Sequence, residues 1–270
     1  VNGEIERELE DKFRKTGSWE AALELCWCYL QDGKITRGIC LARKLEELLP
    51  PEKDAEYKGL LAKLYVEHAE YGESIAMAKR WETALEEKMA SVGQEDKRDR
   101  DRLRQVHLIR MQCYHNLGYK DREYFKLAIR EGEGVLTGGV SDVNILMELA
   151  LMYTEIEEYE KSLEISRRLV EEFQVFAAFA SSMEAYRRQL NAGGVVRTAG
   201  QCIRYFPNFI KAYEYLAKVY LDFERPEDLA KVMGDAEKNG VKSVMLDEYR
   251  YQIDHEPMET ADLNARLKAF

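Results

Sequence analysis

The chain is poor in the residues that interrupt helices, and it has no long apolar run. Its 270 residues include only 5 Pro and 17 Gly, the two residue types that disfavour a helix most strongly. The longest apolar tract, VFAAFA from Val175, is far shorter than the roughly 20 residues that cross a bilayer. These shortages favour a helical fold and predict no direct membrane insertion.

The chain also has no excess of positive charge. Lys and Arg number 40 against 50 Asp and Glu, which gives a formal net charge of -10. A protein that binds nucleic acid needs a basic surface to neutralise phosphates, so we expect no nucleic-acid partner. Apolar residues nevertheless make up 46% of the chain, which is enough to form a substantial core.

Cysteines are few and scattered. The five are Cys26, Cys28, Cys40, Cys113 and Cys202. An odd, dispersed set is not typical of a disulfide framework, and it favours a reducing compartment. We therefore expect a cytoplasmic location. The chain begins at Val1 rather than Met, which leaves open that an upstream segment such as a signal peptide has been removed.

No motif of a metal centre, a phosphate loop or a nucleophilic catalyst is evident. The stretch LCWCYL contains Cys26 and Cys28, but residues two apart on a helix point about 200° apart and cannot hold one ion. Cysteine is also a small apolar residue that suits a core. His107 and His115 are separated by about 12 Å along a helix, too far for one metal. We expect no metal, no cofactor and no catalytic residues, so the chain is not predicted to be an enzyme.

The sequence does contain an internal repeat with helical periodicity. Tyrosines recur at spacings of 36, 49, 39, 33 and 34, at Tyr29, Tyr65, Tyr114, Tyr153, Tyr186 and Tyr220. Three residues before each stands Cys26, Ala62, Met111, Ala150, Met183 or Ala217. Nine residues after most of them stands Gly38, Ser74, Ser162, Val195 or Leu229. Each unit predicts two helices joined by a short turn, with one face of each helix buried on the other.

This pattern resembles the tetratricopeptide repeat family. The resemblance is carried by the A-x-x-Y pairs Ala62/Tyr65, Ala150/Tyr153 and Ala217/Tyr220, by the turn aromatics Tyr71 and Tyr159, and by Pro50 and Pro207, which end units. It implies an all-α, right-handed superhelical solenoid of about six helical hairpins with extra terminal helices. We expect an N-terminal helix in residues 1–18, the array in residues 19–240 and capping helices in residues 241–270. The third unit departs from the pattern, with Arg110 where a leucine is expected and a longer turn.

The resemblance also implies a concave groove lined by the first helix of each hairpin. The residues expected to bind a partner there are Leu23, Trp27, Leu30, Lys63, Val66, Met147, Leu151, Tyr215 and Lys218. Apolar groove residues fit a protein or peptide segment, such as an amphipathic helix. Trp27 has two interpretations, as a ligand contact or as a packing residue between repeats.

Three functions remain open from the sequence. The first is a non-catalytic protein–protein interaction scaffold or adaptor. The second is a structural or oligomerising section of a larger assembly, which self-association would reveal. The third is the regulatory or recognition domain of an enzyme whose catalytic part lies outside this chain.

Overall fold

The computed structural model describes residues 3–46, 48–92, 96–137 and 141–255. Every regular element in these ranges is helical, and none of them is a strand. The helices are α1 (Gly3–Thr16), α2 (Trp19–Gln31), α3 (Ile35–Leu45), α4 (Asp54–Glu67), α5 (Tyr71–Val92), α6 (Lys97–Gly118), α7 (Glu123–Val135), α8 (Val143–Glu155), α9 (Tyr159–Glu171), α10 (Ala178–Arg188), α11 (Ala192–Tyr205), α12 (Ile210–Asp222), α13 (Pro226–Lys238) and α14 (Val244–His255), and a 3₁₀ turn, Pro51–Lys53, precedes α4. The prediction of an all-α fold is confirmed.

Within the described ranges the helices pair into six hairpins. They are α2/α3, α4/α5, α6/α7, α8/α9, α10/α11 and α12/α13, and we call their first and second members helix A and helix B. The chain divides into two compact units, Val1–Val140 and Ser141–Phe270. In each unit, helix B also packs on helix A of the next hairpin. In the first unit α1 packs on α2, and in the second α14 packs on α12. The expected divisions at residues 18 and 240 stay predictions.

The repeated positions of the sequence form the cores of both units. The residues three before each tyrosine are all buried, and so are the five repeated residues nine after it, Gly38, Ser74, Ser162, Val195 and Leu229. In two hairpins a serine of helix B hydrogen-bonds directly to the backbone of helix A, which shows how closely the two helices approach. Ser74 donates a hydrogen bond to the Ala62 carbonyl at 2.8 Å, and Ser162 donates to the Ala150 carbonyl at 2.7 Å. The small residues of the repeat therefore let two helix backbones approach closely.

The turn between helix A and helix B has one backbone geometry in five of the described hairpins. The carbonyl of the repeated tyrosine accepts a hydrogen bond from the amide five residues later, at 2.8–2.9 Å. The residue before that amide has a left-handed φ between +52° and +71°, and it is Gly33, Ala69, Glu157, Leu190 or Glu224. This is the Schellman motif that ends many helices. It sets a constant distance along the chain from each tyrosine to the start of helix B.

The third hairpin has a different turn, as its sequence indicated. Helix α6 continues four residues beyond Tyr114 and ends at Gly118. A Cβ on Gly118 would lie 2.6 Å from the Phe125 ring, so the glycine leaves room for that side chain. Arg110 is 7% exposed, and its guanidinium binds Glu82 of α5 and Glu131 of α7. An ionic cluster thus replaces the apolar contact expected at this position.

Some sequence predictions fall outside the described residues. The second expected terminal helix, after Pro257, lies entirely in 256–270. The charged strip 91–104, predicted to be a loop leading into a helix, is described except for residues 93–95, and its part from Lys97 onward already belongs to α6. Among the described helices, none is both long and apolar enough to cross a membrane.

Candidate partner-binding surfaces

The helix A surface of the first unit centres on Trp27. Trp27 and Leu30 of α2 are partly buried and pack against the core cluster of the first two hairpins. The Lys63 ammonium of α4 lies 5.1 Å from the centroid of the Trp27 ring, within the range of a cation–π interaction. The same ammonium donates a hydrogen bond to Gln105 Oε1 of α6 at 2.9 Å. Three successive A helices are therefore linked across one surface, which we call the Trp27 surface (Trp27, Leu30, Lys63 and Gln105).

Burial changes the chemistry of Lys63. The loss of water around its ammonium lowers the pKa of Lys63 below the usual value, because burial disfavours the charged form. No carboxylate is recorded as its partner in the part of the chain that the structure describes. Among the described residues, the Lys63 ammonium contacts the Gln105 amide oxygen and the Trp27 ring. It could therefore donate a further hydrogen bond to an anionic or carbonyl group of a partner.

Other residues expected in the first unit's groove lie deeper. Leu23 is 4% exposed and Val66 is 8% exposed. Leu23 packs in the core with Leu60 and Leu64, and Val66 packs in a neighbouring cluster with Trp81. Their binding role stays a prediction.

The residues expected in the second unit's groove lie on α8 and α12, and one of them, Tyr215, belongs to an ionic cluster. Met147 and Leu151 of α8 are partly buried, and Lys218 of α12 is exposed and paired with Asp222 at 2.7 Å. The Tyr215 hydroxyl of α12 donates to Glu184 Oε2 of α10 at 2.8 Å. This hydrogen bond connects two successive A helices.

Glu184 is the centre of that cluster. Arg187 binds both of its carboxylate oxygens, at 2.6 and 2.8 Å, and Arg188 Nε binds one of them at 2.8 Å. Arg188 also binds Glu155 of α8 through two bonds, at 2.6 and 3.0 Å. Burial alone would raise the pKa of Glu184, but the hydrogen bonds from Arg187, Arg188 and Tyr215 outweigh it and lower that pKa to about 2. The cluster therefore links α8, α10 and α12, with the Glu184 carboxylate ionised at neutral pH.

The LCWCYL stretch lies in α2, and its cysteines have different surroundings. Cys26 is fully buried, Cys28 is partly buried, and Cys40 of α3 is exposed. Burial raises the pKa of the Cys26 thiol to about 12, so this thiol is unreactive at neutral pH. The Cys26 thiol lies 3.7 Å from the Gly38 carbonyl, at the same close approach of helices A and B that Ser74 and Ser162 occupy. Among the described residues, no group of three His, Cys, Asp or Glu side chains could hold a metal ion.

Comparison with solved structures identifies the fold of the chain. No protein-family model matches the chain, and no curated protein does. Among solved structures, a tetratricopeptide repeat protein from Parabacteroides merdae matches with a TM-score of 0.55 and 14% identity, over 90% of this chain and 89% of that one. BtubC (BKLC) from P. vanneervenii matches with a TM-score of 0.51 and 15% identity, over 84% of this chain and 92% of that one. The chain has the tetratricopeptide-repeat fold, as its sequence predicted.

Proposed function

We propose that the chain is a non-catalytic protein–protein interaction scaffold that binds a protein segment on its helix A faces. The observation that carries the proposal is the Trp27 surface, where a partly buried aromatic ring lies beside an ammonium that pairs with no carboxylate among the described residues. Aromatic residues in such settings are frequent hot spots of protein interfaces. Leu30 extends the apolar area on the same helix.

The chemistry of this surface suggests the character of its occupant. Trp27 and Leu30 would cover apolar side chains, and Lys63 would pair with a carboxylate or a carbonyl at the edge. An amphipathic helix with one acidic residue beside its apolar face has this arrangement. On the second unit by itself, Met147 and Leu151 are the apolar residues expected to contact a partner.

Site-specific photo-crosslinking tests the proposal. A benzoylphenylalanine residue is placed at position 30, and the labelled chain is irradiated in extract of the source cells. We expect a discrete crosslinked protein, since the carbonyl of the probe reacts only with atoms a few ångströms away. Addition of excess unlabelled chain should suppress the crosslink.

The control carries the same probe at position 119, where Tyr119 is 64% exposed and lies beyond helix A of the third hairpin. We expect that position to give no crosslink to the same protein. Equal crosslinking from both positions, or none from position 30, would contradict binding at the Trp27 surface.

Self-association is a second candidate function, and α14 favours it. Val244 and Met245 at the start of this helix are 83% and 42% exposed, and exposed apolar neighbours on a terminal helix of a repeat array are a common contact between copies. Sedimentation equilibrium over a hundredfold concentration range tests it. A mass that rises with concentration in the native chain, but not in Val244→Lys/Met245→Lys, is the expected result. A constant monomer mass would contradict it.

A further inference from the structure

Helix α11 belongs to a segment without acidic residues. Between Glu184 and Glu214 the sequence contains neither Asp nor Glu, although the chain carries 50 of them. The segment contains the basic residues Arg187, Arg188, Arg197, Arg204 and Lys211. A strongly acidic protein therefore contains one basic region of considerable length.

Two of these basic residues have no carboxylate partner within the described part of the chain. Arg187 and Arg188 bind Glu184, and Lys211 binds Glu214. Arg197 and Arg204 are exposed, and neither forms an ion pair with another residue that the structure describes. They are seven residues apart on one face of α11, which places them about 10 Å apart along the helix. This face of α11 therefore presents two cations available to a partner.

An open cleft lies beside these arginines. It has a volume of about 870 Å³ and runs between helices α9 and α11, with α10 as its floor. Val170, Phe176, Phe179 and Tyr186 give it apolar walls, and Tyr205, which is 66% exposed, stands at its edge. A smaller cleft continues along α11 past Arg197 and Arg204. The apolar space and the two cations thus adjoin.

The cleft also contains an unsatisfied polar group. Ser166 of α9 is completely buried, and its hydroxyl has no hydrogen-bond partner. Buried hydroxyls are normally hydrogen-bonded, because desolvating one without a partner is unfavourable. Ser166 lines the cleft, so rotation of its hydroxyl toward the cleft would let a polar atom of an occupant satisfy it.

The wall of the cleft opposite α11, formed by α9, adds no free positive charge. Helix α9 contributes Glu164, Arg167 and Glu171 to the cleft, and Arg167 is paired with Glu171 at 3.2 Å. That wall therefore carries one negative charge in excess, from Glu164, and α11 supplies the positive charge. An occupant would be oriented with its anionic side toward α11.

We propose that the helix B face of the second unit, formed by the cleft together with Arg197 and Arg204, binds an acidic segment of a partner protein. An apolar side chain of that segment enters the cleft, and two carboxylates about 10 Å apart pair with the arginines. In a segment with polyproline II backbone, which has three residues per turn and rises about 3.1 Å per residue, residues three apart lie on one face at close to this separation. The surface is distinct from the helix A faces, and the proposal does not depend on the function assigned to them.

Peptide selection tests the proposal without knowledge of the partner. A display library of random 12-residue peptides is selected on the chain, after depletion on the double variant Arg197→Glu/Arg204→Glu. We expect the remaining peptides to be acidic, with two carboxylates three residues apart and an aromatic or aliphatic residue beside them. Their affinity, measured by fluorescence anisotropy, should fall more than tenfold in the double variant and should weaken as salt is raised.

A matched variant controls for the change in total charge. Lys231→Glu/Lys238→Glu alters two exposed residues of α13, also seven apart, and changes the net charge by the same amount. We expect this control to bind the selected peptides as the native chain does. Equal loss in both double variants would show a general charge effect and would overturn the proposal. Selected peptides without acidic residues would overturn it too.

Ser166→Ala tests the contribution of the cleft itself. Removal of the unsatisfied hydroxyl should leave the melting temperature unchanged or raise it, whereas the affinity for the selected peptides should fall severalfold. Unchanged affinity would remove the cleft from the proposal. Arginine-dependent binding of anionic vesicles or of a thymidine oligonucleotide, in the absence of acidic peptides from the selection, would show a different class of partner and contradict the assignment.

Discussion

At the scale of single residues, the ionic cluster around Glu184 shows how a partly buried carboxylate is accommodated between packed helices. Its carboxylate receives hydrogen bonds from Arg187, Arg188 and Tyr215, which come from two A helices. A partly buried charge is stable only when it is paired in this manner. The stability of the second unit should therefore depend on the ionisation of Glu184.

Glu184→Gln should reduce the sensitivity of the protein to acid. The pKa of Glu184 is lowered from 4.5 to about 2, so its contribution to stability is complete above pH 4.5 and is lost as the pH falls toward 2. The full contribution corresponds to about 3 kcal/mol. Urea unfolding between pH 6 and pH 3 should show a smaller loss of stability in the variant than in the native protein.

Glu164→Gln is the control for that measurement. Glu164 is an exposed residue of α9 in the same unit. Its variant should lose stability in acid as steeply as the native protein does. Identical acid profiles for Glu184→Gln and the native protein would contradict the role assigned to the cluster.

At the scale of the element, the turn between helices A and B determines the repeat. In five of the described hairpins a left-handed residue ends helix A, but only Gly33 among these five is a glycine. A residue with a Cβ is less stable in this conformation by roughly 1–2 kcal/mol. The turn geometry is therefore maintained by the surrounding hairpin rather than by the local sequence.

Ala69→Gly should stabilise the protein. Ala69 is exposed and has a φ of +59°, and glycine adopts this conformation without the Cβ clash. We expect a gain in the free energy of unfolding of up to about 1 kcal/mol, measured by equilibrium denaturation. The reverse change at the equivalent position, Gly33→Ala, should destabilise by a similar amount.

Gly72→Ala separates the effect of the turn from that of glycine in general. Gly72 lies in the first turn of α5 with no atom near the position of an added Cβ. Alanine there should stabilise slightly, by a few tenths of a kcal/mol, because it favours the helix. If alanine stabilised the protein at both Gly33 and Gly72, the left-handed geometry would not be the controlling factor.

The sequence predicts the hairpins well because their core is local and periodic. Tyr153, Ala150 and Ser162 repeat at fixed distances, and the structure buries all three. The turns at Ala69 and Leu190 were not predicted, since neither residue has the usual preference for φ above zero. The ionic clusters were also missed. Arg110 was recognised as a departure, but its partners Glu82 and Glu131 lie 28 and 21 residues away, and no periodic pattern connects them.

At the scale of the whole molecule, the chain consists of two compact units. The buried core of the first unit includes Leu60, Leu85 and Phe125, and that of the second includes Leu149, Met183 and Leu229. A repeat array derives its stability from each hairpin and its nearest neighbours. Three adjoining hairpins with their own core should therefore suffice for folding.

Residues 1–140 and 141–270 should each fold as separate fragments. We expect helical circular dichroism spectra and a cooperative thermal transition from both, because each fragment retains its hairpin–hairpin contacts. Differential scanning calorimetry of the fragments and of the whole chain makes the comparison. A fragment that melts without a cooperative transition would contradict the division at residue 140.

The central claim is that the Trp27 surface binds a partner, and Trp27→Ala tests it most directly. The partner identified by crosslinking is titrated against the native chain and the variant, well below the melting temperature of both. We expect its affinity to fall more than tenfold, equivalent to more than about 1.4 kcal/mol, while the free energy of unfolding changes little. Trp19→Ala, at a partly buried tryptophan of the same helix and core cluster, should reduce stability and spare affinity. A loss of about 3–5 kcal/mol of stability in Trp27→Ala, with affinity intact, would contradict the claim.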